Sequence, residues 1–135
     1  MKVLIDTNIL VSAIWRDKNP EKLILWVIAQ PDWEWIVSTE IIREYQDVLH
    51  RKKFSFPPET LRKWEIIINR DTHLRPVNIE IDFPRDQKDA IFVECALVNN
   101  VDYLVTGDGD LSEARKIVNT TILSVPMFIR LFCDT

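Results

Sequence analysis

At 135 residues the chain has room for one domain and one core, expected to span residues 1–135. Hydrophobic residues make up 47% of it and only two glycines occur, which excludes a disordered segment and a loop-built protein. The formal net charge of −4 argues against a uniformly basic polyanion-binding surface. Committing four carboxylates to metal would bring the remainder to neutrality, so charge by itself does not exclude a nucleic-acid partner.

Lys2 to Ile5 is a short aliphatic and β-branched run ending at Asp6, the pattern of a buried strand. Thr7 to Trp15 then reads as a short helix. A second helix is expected from Pro20 to Gln30 with Asn19 as its cap, since proline suits a first turn. Trp33 to Val37 is the second strand. Ser38 or Thr39 caps a third helix running to about Lys53, and Thr60 to about Arg70 forms a fourth. Val77 to Ile81 alternates weakly, as an extra strand or a connector. Asp86 to Val98 is a helix, Asp102 to Thr106 a strand, Asp110 to Val118 a helix, Thr121 to Val125 a strand and Pro126 to Phe132 a closing helix. Strands alternating with helices predict an α/β fold with a mainly parallel central sheet covered on both faces. Apolar residues surround the axis of the helix from Ala90 to Val98, which marks it as buried.

No apolar run approaches the roughly 20 residues of a membrane helix, and Asp6 interrupts the first run too early for a secretory leader. Cys95 and Cys133 form no C-x-x-C and read as packed, reduced thiols, so a cytoplasmic protein is expected, without a membrane partner.

Four acids share one geometric property: each lies at a strand end or in the first turns of the following helix. In a parallel sheet these positions belong to one edge, where ligands of open α/β sheets collect. Asp6 follows the first strand, although an aspartate there also serves as an ordinary helix cap. Glu44 falls at the border of the apolar arc formed by Ile41, Ile42, Tyr45, Val48 and Leu49, while Glu40 and Asp47 fall further out. A solvated helix glutamate is the plain alternative. Asp89 opens the hydrophobic fifth helix, with Asp86 three residues earlier as the better cap. Asp108 lies directly past a strand end, whereas Asp110 and Glu113 resemble a capping box. Two carboxylates at about 4 Å repel by roughly 4 kcal/mol at an effective dielectric of 20, so a cluster of four requires cations. Oxygen donors of this kind suit Mg²⁺ or Mn²⁺, and no His-Cys cluster exists for zinc.

Asp6-Thr7-Asn8, Ser38 through Glu44-Tyr45 with Val48-Leu49, Lys88-Asp89 and Tyr103 through Leu111 occur in an order that resembles the PIN-domain ribonucleases. The resemblance is in particular to the bacterial and archaeal toxins of toxin–antitoxin systems (VapC-like), and it spans essentially the whole chain. It implies a three-layer α/β/α fold, often a homodimer, cutting single-stranded or structured RNA with Mg²⁺ or Mn²⁺ and held by an antitoxin protein. By it, Asp6, Glu44, Asp89 and Asp108 are the catalytic, metal-binding acids, with Asn8, Thr106 and Asp110 in support. Asp86 is the alternative to Asp89, whose Asp-Ala-Ile-Phe register fits better. The implied reaction is phosphodiester hydrolysis leaving 5′-phosphate and 3′-hydroxyl ends.

Arg43, Arg51, Arg85 and Lys88 are candidate RNA-phosphate contacts, while Lys52 and Lys53 read as a solvated basic helix end. The five tryptophans are expected in the core or an interface rather than under bases. Two other readings compete. One is a catalytically silent PIN-like binding or scaffold module. The other is a phosphatase of the haloacid-dehalogenase type, which Asp6-Thr7-Asn8 disfavours because Asn8 replaces the general acid of its D-x-D motif.

Overall fold

The structure, a computed structural model, describes residues 1–15, 17–77, 87–107 and 115–134, with 87–89 described by backbone only. Six strands form one sheet: β1 (Lys2–Ile5), β2 (Glu34–Val37), β3 (Thr72–Leu74), β4 (Tyr103–Thr106), β5 (Arg115–Ile117) and β6 (Thr120–Ser124). Their order is β3-β2-β1-β4-β6-β5, and every described pairing is parallel except that of β5 with β6. The helices are α1 (Thr7–Ile14), α2 (Lys18–Ala29), α3 (Thr39–Leu49), α4 (Pro58–Asp71), α5 (Gln87–Asn99) and α6 (Val125–Phe128), the last continued by a π-helical turn at Ile129–Cys133.

The central strands show why the sheet needs cover on both sides. Successive strand residues point to opposite faces. Val3, Leu4 and Ile5 are nonetheless all inaccessible, and Trp35, Ile36 and Val37 nearly so. Helices therefore flank the sheet on both faces, giving the three-layer α/β/α architecture. Helix α2 packs on α1, α6 and the π-helical turn, and α5 packs on α3. As its composition predicts, α5 has no exposed residue between Ala90 and Asn99. Among the described residues no helix is long and apolar enough to cross a membrane.

Three expectations need correction. Helix α2 begins at Lys18 with Asp17 at its cap position, so Pro20 lies inside the first turn, where a missing N–H costs nothing. The third strand is Thr72–Leu74, directly after α4, where no element was expected; of the segment expected as an extra strand or a connector, Val77 is not in a strand, and 78–81 lie outside the described residues. Residues Arg115–Ile117 form an antiparallel edge strand, not the end of a helix. In addition, α3 stops at Leu49 rather than near Lys53, and hydrogen-bonded turns follow it.

The two-residue link between β5 and β6 contains one strained position. Val118 has φ 53°, a left-handed conformation that a β-branched side chain resists, and it is 70% exposed, so no packing requires it. Val118→Gly is expected to raise the unfolding free energy by about 1 kcal/mol in urea titration.

Candidate active site

The site lies where β1 and β4 end. Asp6 occupies the N-cap position of α1, its N–H donating to the Val105 carbonyl at 3.0 Å and its carbonyl accepting from the Ile9 N–H at 3.0 Å. Its carboxylate makes no capping bond. Oδ2 instead accepts from the Thr106 hydroxyl at 3.2 Å, across 100 positions of sequence. The plain cap reading of this aspartate therefore does not describe what its side chain does.

Glu44 arrives from α3. Ser38 accepts the Ile41 N–H at 3.2 Å and so fixes the start of that helix just past β2. Glu44 is half-buried, while Glu40 and Asp47 are exposed, matching its border position on the apolar arc. Its Oε2 accepts from the hydroxyl of Thr7, a buried residue 37 positions earlier and the immediate neighbour of Asp6. Each carboxylate is thus held at one oxygen by a threonine hydroxyl. Asn8 is adjacent too: its Cβ lies 3.9 Å from where a Cβ on Gly107 would sit.

Tyr45 locks the two acid-bearing elements together. It is fully buried, its hydroxyl donates to the Ile5 carbonyl just before Asp6, and it accepts from Trp35 Nε1 at 3.4 Å. Burial pushes its hydroxyl far above the ordinary tyrosine range, and the nearby Asp6 and Glu44 carboxylates act in the same direction. It therefore stays a protonated donor. Neither Thr7 nor Tyr45 was assigned a role in the sequence beyond its place in a motif. A threonine directly after a strand-end aspartate was the available signal for the first, and a tyrosine in an otherwise aliphatic arc for the second. Tyr45→Phe leaves the Ile5 carbonyl without this donor and is expected to cost about 1–2 kcal/mol, measurable as a lowered urea midpoint.

The remaining expected site residues divide plainly. Asp89 and Lys88 lie in the first turn of α5, described by backbone alone. Asp86, Asp108, Asp110 and Arg85 lie outside the described residues. Arg43 is exposed, and Arg51 is ion-paired with Asp47 at 3.0 Å, one turn back. Among the described residues no group of three or more His, Cys, Asp or Glu comes together. Asp6 and Glu44 nevertheless supply hard oxygen donors oriented by neighbouring hydroxyls, a donor set that fits Mg²⁺ or Mn²⁺. The cysteines take no part: both are free, and burial pushes the Cys95 thiol up to about 11.

Residues 2–110 match the PIN domain, four-fifths of the chain. The chain belongs to the PIN-domain family, whose members are generally nucleases. Among solved structures, its fold is similar to a chain in the crystal structure of VapBC2 from Rickettsia felis bound to a DNA fragment from their promoter. That match has a TM-score of 0.62 at 17% identity and covers 92% of this chain and 98% of that one. Comparison with curated proteins gives no match.

Proposed function

We propose that this PIN domain is a divalent-metal-dependent endoribonuclease and the toxin component of a cytoplasmic toxin–antitoxin pair. The observation that carries the reading is the joining of Asp6 to Glu44 through Thr7 at the end of β1. Two carboxylates near the same buried tyrosine repel each other, and the fold holds them there with two threonine hydroxyls and that tyrosine. Such an arrangement is costly for stability and useful for binding a cation.

Asp6, Glu44, Asp89 and Asp108 are the proposed ligands, with Asn8, Thr106 and Asp110 in support. Asp89 opens the helix packed on α3, and Asp108 follows Gly107, the neighbour of Asn8. A bound Mg²⁺ or Mn²⁺ would supply Lewis-acid activation of water and charge neutralisation at the scissile phosphate. The chain's own part is to orient. Thr7 and Thr106 fix one oxygen on each of two acids, and Tyr45 keeps β1 and α3 in register, so little reorganisation is needed at the reacting phosphate. Arg43, Arg51, Arg85 and Lys88 are proposed to hold the RNA backbone.

The toxin role draws on the resemblance to toxin–antitoxin ribonucleases and on the fold shared with a chain of VapBC2. An antitoxin protein and a second copy of this chain are the expected partners, with all 135 residues acting as one domain. Calorimetric titration with Mn²⁺, paired with an RNA-cleavage assay, tests the proposal. Wild type is expected to bind Mn²⁺ and cleave, and Glu44→Gln to do both at least tenfold more weakly. Equal Mn²⁺ binding by the two proteins would refute the site, leaving the silent-module reading.

A further inference from the structure

Helices α1 and α3 run side by side away from the acids. Thr7, at the start of α1, meets Glu44 of α3; Trp15, which ends α1, meets Phe56, just beyond α3. The far end, about 12 Å along α1 from Thr7, is aromatic and basic. Trp15 packs on Phe56 with ring centroids 4.9 Å apart, and Phe56 stacks on Phe54 at 5.5 Å and 14° between planes. The Lys53 ammonium lies 5.1 Å from the centre of the Phe54 ring. Lys52 and Lys53 are both exposed.

Trp15 differs from the other tryptophans. Trp35 and Trp64 are buried, Trp26 and Trp33 pack partly buried against the core, and Trp15 is 54% exposed. The loop that carries the other two rings, Phe56 buried and Phe54 half-buried, is ordered by its own backbone: the N–H groups of Phe54 and Ser55 donate to the Arg51 and Lys52 carbonyls at 3.1 Å, and the Ser55 hydroxyl donates to the Lys52 carbonyl at 2.8 Å. An exposed ring seated on Phe56, with the Lys53 ammonium over the Phe54 ring that stacks on the same Phe56, combines the two features that single-stranded nucleic acid requires, a stacking face and phosphate-binding cations.

We propose that Trp15, Phe54, Phe56, Lys52 and Lys53 form a docking platform for single-stranded RNA at the end of α1 and α3 remote from the acids. One base stacks on Trp15, while Lys52 and Lys53 contact the adjoining phosphates. The platform rests on the nuclease reading for the identity of its ligand. It would hold the substrate strand along the α1–α3 face and set which nucleotides reach Asp6 and Glu44.

The test is fluorescence anisotropy of a fluorescein-labelled decauridylate with the full chain in EDTA, where no cleavage occurs. Trp15→Ala is expected to weaken binding about tenfold, Trp15→Phe to retain most of it, and the double change Lys52→Ala, Lys53→Ala to weaken it and lower the slope of log affinity against log salt by roughly one. Lys52 and Lys53 are exposed and Trp15→Phe keeps a ring on Phe56, so those two variants are expected to melt as wild type does, and the loss in Trp15→Ala is read against Trp15→Phe. Wild-type affinity in both alanine variants, or no binding by wild type, overturns the platform. So does Trp15-dependent binding of polyglutamate without binding of RNA, which would make the surface a dock for an acidic protein. Failure of Mn²⁺-dependent cleavage by a protein that still binds decauridylate in EDTA counts against the nuclease reading alone.

Discussion

Replacing Asp6 by Asn is expected to lower Mn²⁺-dependent RNA cleavage by more than about 100-fold while leaving the metal-free protein at least as stable as wild type. The kinetic loss follows from the proposed role: altering a residue that merely orients a metal ligand costs 10–100-fold, and removing a charged ligand costs more. The stability follows from the surroundings. An asparagine oxygen can still accept from Thr106, and no capping bond is lost, since the Asp6 carboxylate makes none. The substitution also removes one of two carboxylates held in the same small region. Cleavage assays and thermal melts in EDTA on one preparation separate the two effects. A variant that loses activity by unfolding would show a lowered melting temperature, contrary to this expectation.

The largest stability effect is expected at Trp35. It lies on β2, between β1 and β3, with 1% of its surface exposed, and its indole N–H supports the hydroxyl of Tyr45. Trp35→Ala removes the largest side chain of the inner sheet and leaves a cavity, costing about 3–5 kcal/mol. It also withdraws one partner of the tyrosine that joins β1 to α3. Against a total stability of roughly 5–15 kcal/mol, this is a melting-temperature drop on the order of 10 °C. Trp35→Phe keeps most of the volume and should recover more than half of the loss. If Trp35→Ala melted within about 2 °C of wild type, the described packing of β2 would be wrong.

The parts of the fold that proved legible are those whose local pattern and tertiary role agree. Val3–Ile5 is apolar because it is central, and Ser38 marks the start of α3 because a buried helix end needs an acceptor for its first N–H groups. Glu44 stood out because the apolar arc of α3 has a definite border. The edges were harder to read. Thr72-His73-Leu74 has no hydrophobic alternation to detect, with His73 and Leu74 exposed, and becomes a strand through its pairing with β2. Arg115-Lys116 follow Glu113-Ala114, all good helix formers, yet 115–117 pair with β6 as an edge strand. Context overrode propensity at both.

The site was legible as a set of acids and not as a network. Periodicity places a carboxylate on a face, but it does not reveal that the Thr7 hydroxyl reaches Glu44 or that Tyr45 reaches the Ile5 carbonyl. Both contacts depend on the approach of α1 to α3, a long-range property. The same approach carries Trp15 to Phe56 and leaves its ring exposed, while the expectation of a core or an interface did not separate it from the other tryptophans.

Diffraction from crystals soaked in Mn²⁺, recorded where manganese scatters anomalously, tests the central claim most directly. The account predicts a peak in direct coordination with Asp6 and Glu44 that disappears in Asp6→Asn crystals. A peak bound elsewhere, or none with both carboxylates well ordered, would contradict it.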